Sequence, residues 1–285
     1  MIFTLVKGLV FILGHLPLGL ARGVGKVLGK LFYVLDKRHR ETVFKNMELA
    51  GYSRPEAEVL SREVFTHMGI MLLEVMRTPW LRQRDFSGYV ESEGRENLDR
   101  ALKKGKGVII LTAHLGNWEL LSTWLAINGY KLDVVVRDMD SPLAARLMEW
   151  MRTRHGHAMV LKKRSMRRLL KTLASGGLAG ILLDQNVARV EGVFVDFFGV
   201  QACTNKGPAM LAAVSHAAVI PTFITYEQQR HIIRFQPEVE LSRSGDKQKD
   251  ALENTARFTA VIEEAIRRNP GQWFWVHRRW KTRPE

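Results

Sequence analysis

The sequence has little cysteine and comparatively few acidic residues, and both shortages limit what the protein can be. Cys203 is the single cysteine, so an internal disulfide is excluded and a reducing compartment is favoured. Its neighbours Ala202 and Thr204 supply no base for the thiol, which indicates a small packed residue rather than a nucleophile. The 43 Lys and Arg against 29 Asp and Glu give a net charge of +14. That charge favours polyanionic partners: nucleic acid, an anionic membrane surface, phosphorylated substrates or an acidic carrier protein.

A long uninterrupted hydrophobic run is also missing. Residues 1–21 are mostly apolar, but Lys7, His15 and Pro17 interrupt them, and a bilayer crossing needs about 20 apolar residues. The start is not basic and no small-x-small cleavage site follows, so we do not expect a signal peptide. The sequence contains no Gly-x-Ser-x-Gly segment either, which disfavours a nucleophilic serine on a strand-to-helix elbow.

A basic amphipathic helix is predicted directly after this apolar start. Arg22, Lys26 and Lys30 recur every fourth residue and form one cationic stripe. The other side is apolar, with Val24, Val27, Leu28, Leu31 and Leu35. This pattern is typical of a helix that lies on a membrane, although a domain helix with a solvated basic face has it too. We expect residues 1–36 to form a membrane-associating helical segment and residues 37–285 to form the main domain.

Helix packing is indicated in two places. Glycines at 19, 23, 25 and 29 would allow close approach of a second helix, although their small-xxx-small spacing is a weak signal. Pro55 to Met76 has helical spacing of apolar residues, and Pro79 ends it. Glu74 lies in that apolar stretch and needs a partner if it is buried.

From Asp99 onward the pattern alternates between strands and helices. The predicted strands are 107–113, 132–136, 158–161, 179–183, 218–225 and 231–236. The predicted helices are 94–104, 117–129, 141–155, 164–175, 205–216 and 250–268. Such alternation predicts an α/β fold with a mainly parallel central sheet flanked by helices, and 285 residues suffice for one large domain of this kind.

The hexapeptide from His114 to Glu119, His-Leu-Gly-Asn-Trp-Glu, follows the apolar strand that ends near Thr112. A His and a Glu five residues apart do not share a face of an uninterrupted helix. They can meet if the His ends the strand and the Glu lies in the first helical turn. The carboxylate would then hold one imidazole nitrogen and leave the other free as a base. The alternative is an ordinary polar corner between a strand and a helix.

Polar residues also follow other predicted strands. Arg137 follows strand 132–136, and Asp184 and Gln185 follow strand 179–183. Ligands of an open α/β sheet bind beyond the carboxyl ends of its strands, so parallel strands would place these residues on one rim with His114. Lys206 lies at a predicted helix start, which is a natural anion site.

Three segments leave alternatives open. Arg164 belongs to a basic cluster, 162–168, that either surrounds the rim or is a solvated helix face. Residues 192–199 form either a buried hairpin or the lining of an alkyl channel. The aromatic and cationic segment 273–281 suits single-stranded nucleic acid or a lipid headgroup interface, and His277 within it is either an acid-base residue or a structural one.

Several of these segments together resemble one family. From about Arg40 to the C-terminus the chain resembles the lauroyl and myristoyl transferases of lipid A biosynthesis, within the lysophospholipid acyltransferase superfamily. The glycerolipid branch usually has Asp where this chain has Glu119, so the chain looks like the lipid A branch. The segments that carry the resemblance are 110–119, 135–137, 183–185, 197–199 and 275–284.

The resemblance implies transfer of a fatty acyl chain from acyl carrier protein to a hydroxyl of a lipid A precursor, at the cytoplasmic face of the bacterial inner membrane. It implies that His114 and Glu119 are the catalytic pair. A thioester donor is already activated, so we expect no metal and no cofactor beyond the carrier protein. The expected substrate-binding residues are Arg137, Asp184, Gln185, Arg164 and Lys206, and the expected membrane contacts are Arg22, Lys26 and Lys30.

The resemblance also associates two of the rim residues, Arg137 and Asp184, with activity. We expect Arg137 to bind a phosphate or the developing oxyanion, and Asp184 to position the substrate or a cation in the site. With no serine elbow, we expect direct transfer in a ternary complex.

Three other functions remain as alternatives. The first is an acyltransferase of the same superfamily with another acceptor, such as a phosphatidylinositol mannoside or an ornithine lipid. The second is a basic nucleic-acid-binding protein, and the third is a catalytically silent membrane scaffold. We favour the enzyme, and expect no nucleic-acid partner, because charge alone explains neither the His114-to-Glu119 spacing nor the shared rim of strand ends.

Overall fold

The computed structural model describes residues 2–136, 141–156, 158–161 and 165–284. The helices are α1 Ile2–Gly14, α2 Leu18–Leu35, α3 Lys37–Leu49, α4 Arg54–Val75, α5 Arg95–Leu102, α6 Trp118–Ile127, α7 Pro142–Thr153, α8 Ser165–Ala174, α9 Gly207–Ser215 and α10 Lys247–Arg268. The strands are β1 Val90–Glu93, β2 Val108–Thr112, β3 Leu132–Val136, β4 Ala158–Leu161, β5 Leu178–Leu182, β6 Gly192–Phe197, β7 Val200–Asn205, β8 Ala218–Glu227 and β9 Arg230–Phe235.

Within the described residues, seven strands form one sheet in the order β1-β9-β8-β2-β5-β3-β4. All neighbouring pairs are parallel except β8 and β9. Strand β2 is buried along its whole length. Its side chains alternate between two apolar clusters, Ile109 and Leu111 on one face and Val108 and Ile110 on the other. The α/β fold with a mainly parallel sheet covered on both faces is therefore confirmed.

The register between β2 and β5 determines where the polar strand ends meet. Thr112 of β2 pairs with Leu182 of β5. His114 and Asp184 each come two residues later, so the parallel pairing places them side by side at the carboxyl edge of the sheet.

The six predicted strands and the predicted helices are confirmed, with boundaries that differ by a few residues. Of the two alternatives for segment 192–199, the structure shows the buried hairpin, because β6 pairs antiparallel with β7 and buries Val195 and Phe197. Strand β1 was not predicted. It is an edge strand with three exposed polar residues, so it shows no hydrophobic alternation.

Helix α2 packs closely against α4 through glycines. A Cβ on Gly25 would lie 2.7 Å from the Gly69 carbonyl oxygen, and one on Gly29 would lie 2.7 Å from the Cα of Thr66. Among the described residues nothing lies within 4 Å of such an atom at Gly19 or Gly23. Close packing is therefore confirmed for Gly25 and Gly29, and the prediction is wrong for the other two.

The predicted three-residue cationic stripe is wrong at Arg22. Its side chain is buried, with 8% of the residue exposed, and its Nε donates to Glu74 Oε1 over 2.7 Å. Lys26 and Lys30 are exposed as expected. Arg22 lies on the same helix face as Gly25 and Gly29, so the glycine contact draws it inward. Glu74 thereby gains the partner that its burial requires.

The N-terminal helices expose apolar side chains instead. Because α2 uses its glycine face to pack on α4, much of its apolar side faces outward. The exposed residues include Leu5, Leu9 and Ile12 of α1 and Leu20, Val27, Leu31 and Val34 of α2. Within the described ranges, none of the helices meets the length and hydropathy of a membrane span on its own. The pair of α1 and α2 meets them together and is bent by 116°.

Candidate active site

The imidazole of His114 is held by Asp184. The ring Nδ1 lies 2.8 Å from Asp184 Oδ1, and the His114 backbone N–H donates to Asp184 Oδ2 over 3.0 Å. A carboxylate can only accept, so Nδ1 carries the proton and Nε2 keeps its lone pair. An imidazole in this tautomer can accept a proton at Nε2 while the carboxylate stabilises the charge that forms.

Asp184 is buried, and the indole N–H of Trp273 also donates to its Oδ2, over 2.7 Å. Burial raises the pKa of this carboxyl, but the attraction to a protonated His114 and the hydrogen bonds from His114 and Trp273 outweigh it and lower the pKa to about 2. The carboxylate is therefore ionised at neutral pH.

The imidazole of His114 is partly exposed and has two aromatic neighbours. His114 keeps 21% of its side chain exposed. Trp118 lies edge-on with its ring centroid 4.9 Å from the imidazole, and Phe274 lies 6.0 Å away. The Gln185 amide nitrogen is 3.4 Å from His114 Nε2, which is a long contact that an incoming hydroxyl could replace.

The expectation that Glu119 holds the imidazole is corrected by this geometry. Neither a hydrogen bond nor an ion pair joins Glu119 to His114, both of which the structure describes. Glu119 instead accepts two hydrogen bonds from Arg152 of α7, one of them from Nε over 2.9 Å, and a third from the Trp118 indole over 3.2 Å. Glu119 lies in the first turn of α6, where its carboxylate contacts α7. Asp184 follows β5, and its carboxylate contacts the His114 ring.

The loop that carries His114 is fixed by the C-terminal segment. Leu115 forms a β-bridge with Trp273, the His114 carbonyl accepts from the Phe274 N–H, and the Gly116 N–H donates to the Gln272 carbonyl. Gly116 has φ of +61°, and a Cβ there would collide with the Ile224 backbone. Only glycine fits this turn, which explains the Gly in the hexapeptide.

The remaining predicted site residues divide into two groups. Gln185 lies beside His114, whereas Lys206 is half-buried at the N-cap of α9. Arg137 and Arg164 lie outside the described residues. The role of Asp184 on the imidazole, and the parts played by Arg152 and Trp273, were not predicted. No local spacing signals them, because they come from elements distant in sequence.

The C-terminal tryptophans are packed inside the protein. Trp273, Trp275, Trp280 and Arg279 are all buried. The Arg279 guanidinium donates to the Cys203 carbonyl, and His277 Nε2 accepts from the Asn186 backbone. The buried tryptophans and Arg279 make this segment an internal clamp on the site, which disfavours its interpretation as a nucleic-acid-binding surface.

Cys203 is buried, and burial raises the pKa of its thiol, in agreement with a packed residue. In the part of the chain that the structure describes, no group of three or more His, Cys, Asp or Glu side chains is arranged so that it could hold a metal ion.

Comparison with known proteins agrees with this architecture. The model of the family described as "Bacterial lipid A biosynthesis acyltransferase" matches residues 1–282. The lipid A biosynthesis lauroyltransferase of Escherichia coli K12 is 28% identical to this chain, and the match covers 98% of this chain and 90% of the lauroyltransferase. The palmitoleoyltransferase of the same organism is 27% identical, over 97% and 90%. A phosphatidylinositol mannoside acyltransferase of Mycobacterium tuberculosis is 25% identical, over 73% and 66%.

The chain belongs to the bacterial lipid A biosynthesis acyltransferase family. It is an acyltransferase, and its family implies an acyl donor and a lipid acceptor. The resemblance carried by segments such as 110–119 is thereby confirmed.

Proposed function

We propose that this protein transfers a fatty acyl chain from acyl carrier protein to a hydroxyl of a lipid A precursor, with His114 as the general base. The observation that carries the proposal is the pairing of His114 Nδ1 with Asp184 at the carboxyl edge of the sheet, where Nε2 makes, among the described residues, only the long 3.4 Å contact with the Gln185 amide. Membership of a lipid A acyltransferase family supports the substrate class.

The reaction requires one proton to move twice. His114 Nε2 takes the proton of the acceptor hydroxyl as its oxygen attacks the thioester carbonyl carbon. When the tetrahedral intermediate collapses, the C–S bond breaks and the departing thiolate takes the same proton back from Nε2. The products are an ester and the free thiol of the carrier, and the enzyme returns to its starting state.

Asp184 fixes the ring in the required tautomer and stabilises the imidazolium that forms during attack. Its low pKa keeps it charged throughout. A positioned general base contributes about 10²–10⁴ in rate, which is the size of effect expected for His114.

Glu119 has a positioning role in this proposal. Trp118 contacts the His114 ring and donates to Glu119, and Arg152 holds the same carboxylate. Glu119 thus orders the aromatic wall and α7 beside the reacting groups. Substrate binding by Arg137, Arg164 and Lys206 stays a prediction, and the positive charge of the chain favours an anionic substrate.

We place this reaction at the cytoplasmic face of the bacterial inner membrane. The exposed apolar residues of α1 and α2, with Lys26 and Lys30 beside them, favour binding to an anionic lipid surface. Moving an acyl chain into water costs about 0.8 kcal/mol per methylene, so an enzyme that handles such chains gains from staying at the bilayer.

The test is a transfer assay with purified protein and labelled acyl carrier protein. The acceptors are a lipid A precursor, a phosphatidylinositol mannoside and an ornithine lipid. We expect acyl ester formation with the lipid A precursor and its loss in His114→Ala. Transfer only to another acceptor would overturn the lipid A assignment and keep the chemistry, and equal activity in His114→Ala would overturn the mechanism.

A further inference from the structure

A buried charged cluster lies directly behind the catalytic loop. We propose that Glu74, held by Arg22, is a positioning residue that acts through Asn117 to fix the turn between His114 and Glu119. This inference rests on the proposed function, because it assigns a role toward the same reacting groups.

Glu74 lies on α4 and uses both carboxylate oxygens. Oε1 accepts from Arg22 Nε over 2.7 Å, and Oε2 accepts from Asn117 Nδ2 over 3.1 Å and lies 2.8 Å from His231 Nε2. Glu74 and His231 are each 1% exposed. Burial raises the pKa of Glu74, but His231 and Arg22 lower it to about 2, so the group is an anion in the folded protein.

Asn117 transmits this arrangement to the catalytic turn. Its Oδ1 accepts from the Leu120 backbone N–H over 3.1 Å and caps α6. The two ends of the Asn117 amide have different partners: Oδ1 accepts from the helix, and Nδ2 donates to Glu74. Glu74 therefore favours the amide orientation in which Oδ1 faces the helix. Asn117 comes three residues after His114 and two before Glu119, so its orientation sets the exit of the loop and the first turn of the helix.

The same face of α4 adjoins the loop at a second point. His67 and Glu74 are seven residues apart, which places them on one face of α4, two turns from each other. Burial lowers the pKa of the His67 imidazole to about 4, although the Gly116 backbone beside it raises this pKa. One helix face therefore adjoins two consecutive residues of the catalytic loop, and Glu74 holds one of them through a hydrogen bond.

Stability alone gives a weak reason for this cluster. A buried ion pair is often no more stabilising than well-packed apolar residues of similar volume, because both charges lose their hydration. The cluster instead orients one side chain, because Glu74 is a fixed acceptor for the Asn117 amide at the edge of the site. The close Gly25–Gly69 contact brings Arg22 within hydrogen-bond distance of Glu74. The position of α2 therefore also affects the orientation of Glu74.

The test exchanges donor and acceptor between Glu74 and Asn117. Glu74→Gln places a donor against the Asn117 amide or the Arg22 guanidinium, and Asn117→Asp places two carboxylates together. In the double variant the new amide at position 74 can donate to the new carboxylate at position 117, while the amide oxygen accepts from Arg22. His231 can adapt by shifting its proton to Nδ1, which has no hydrogen-bond partner among the described residues.

We expect each single variant to lower kcat by about 10- to 100-fold, with KM for donor and acceptor within about threefold of wild type. The double variant should recover most of kcat. Asp133→Asn is the matched control, since Asp133 is another buried carboxylate paired with an arginine, Arg168, at the opposite end of the sheet. It should lower Tm and leave kcat unchanged.

A second readout does not depend on turnover. The ¹⁵N signals of the His114 ring, assigned with His114→Gln, should shift in each single variant and return in the double variant. Unshifted signals and an unchanged kcat in folded single variants would overturn the positioning role, as would the absence of any recovery in the double variant. If the wild-type protein transfers an acyl chain to none of the acceptors, but the ring signals still shift in the single variants and return in the double variant, the proposed function is rejected and the positioning role of Glu74 is kept.

Discussion

The carboxylate that holds His114 determines how the site can handle a proton. Asp184 meets the imidazole at 2.8 Å, although the two residues are 70 positions apart in the chain. Glu119 lies nearer in sequence but is bound to Arg152 and Trp118. The ring is therefore oriented by the neighbouring strand of the sheet and not by the helix that follows it.

Replacing Asp184 tests this orientation. Asp184→Asn keeps the volume but removes the charge that fixes the tautomer and stabilises the imidazolium, so we expect kcat to fall by about 10²–10⁴. Steady-state kinetics with saturating donor and acceptor measure the loss. Asp133→Asn, a buried carboxylate remote from His114, should leave kcat within about threefold of wild type. A smaller loss in Asp184→Asn than in Glu119→Gln would indicate that the carboxylate roles are reversed.

At the level of residues, the sequence predicted which side chains lie at the rim but not how they pair. His114, Asp184 and Gln185 were identified because each follows an apolar run. The pairing depends on the order of strands in the sheet, in which β5 lies between β2 and β3, and no local pattern contains that order. Arg152 escaped prediction for the same reason, since α7 reaches Glu119 only through tertiary packing.

Among the elements, α2 shows where periodicity is misleading. Its four-residue spacing predicted a cationic stripe that includes Arg22, whereas the structure buries Arg22 on one face with Gly25 and Gly29. Glycines allow backbone contact at a shorter distance than any apolar side chain, so they decided which face packs. The alternation of strands and helices after Asp99 was predictable because each buried strand is a short apolar run with clear ends.

The glycine contact predicts a position-specific effect within one helix. Gly25→Val would drive side-chain atoms into the Gly69 and Ile70 backbone, and we expect it to lower Tm by several degrees and to reduce activity by displacing Arg22. Gly23→Val has open space around it and should change neither quantity measurably. Thermal unfolding and the transfer assay on both variants provide the comparison. Equal effects of the two substitutions would show that α2 does not pack on α4 through this face.

At the scale of the whole molecule, the exposed apolar residues of α1 and α2 should control membrane binding. Each such side chain contributes on the order of 1–2 kcal/mol when it enters the interface, so removing two should weaken vesicle binding at least about tenfold. We expect this for Val27→Ser combined with Leu31→Ser, measured by flotation with vesicles that contain anionic lipid. Val190→Ser, at a residue 83% exposed and remote in sequence, is the control. If both proteins float equally, the α2 surface is not the docking face.

Acid should destabilise the whole fold through its buried carboxylates. The folded-state pKa of Asp184 is about 2, below the ordinary 3.8, so its charge stabilises the protein above about pH 4 and this contribution is lost as pH falls toward 2. Between pH 6 and pH 3 the lost share is about 1 kcal/mol. Urea unfolding at both pH values should show a correspondingly smaller decrease in the free energy of unfolding for Asp184→Asn. An identical decrease in wild type and variant would mean that Asp184 is not ionised in the folded protein.

The most direct test of the account is a single-turnover measurement of acyl transfer from labelled acyl carrier protein to the lipid A precursor. The rate of the chemical step is compared between wild type and His114→Ala, with Tm measured on both. If His114 is the base, the rate falls by about 10²–10⁴ while the variant remains folded. A folded His114→Ala protein that transfers the acyl chain at the wild-type rate would contradict the account.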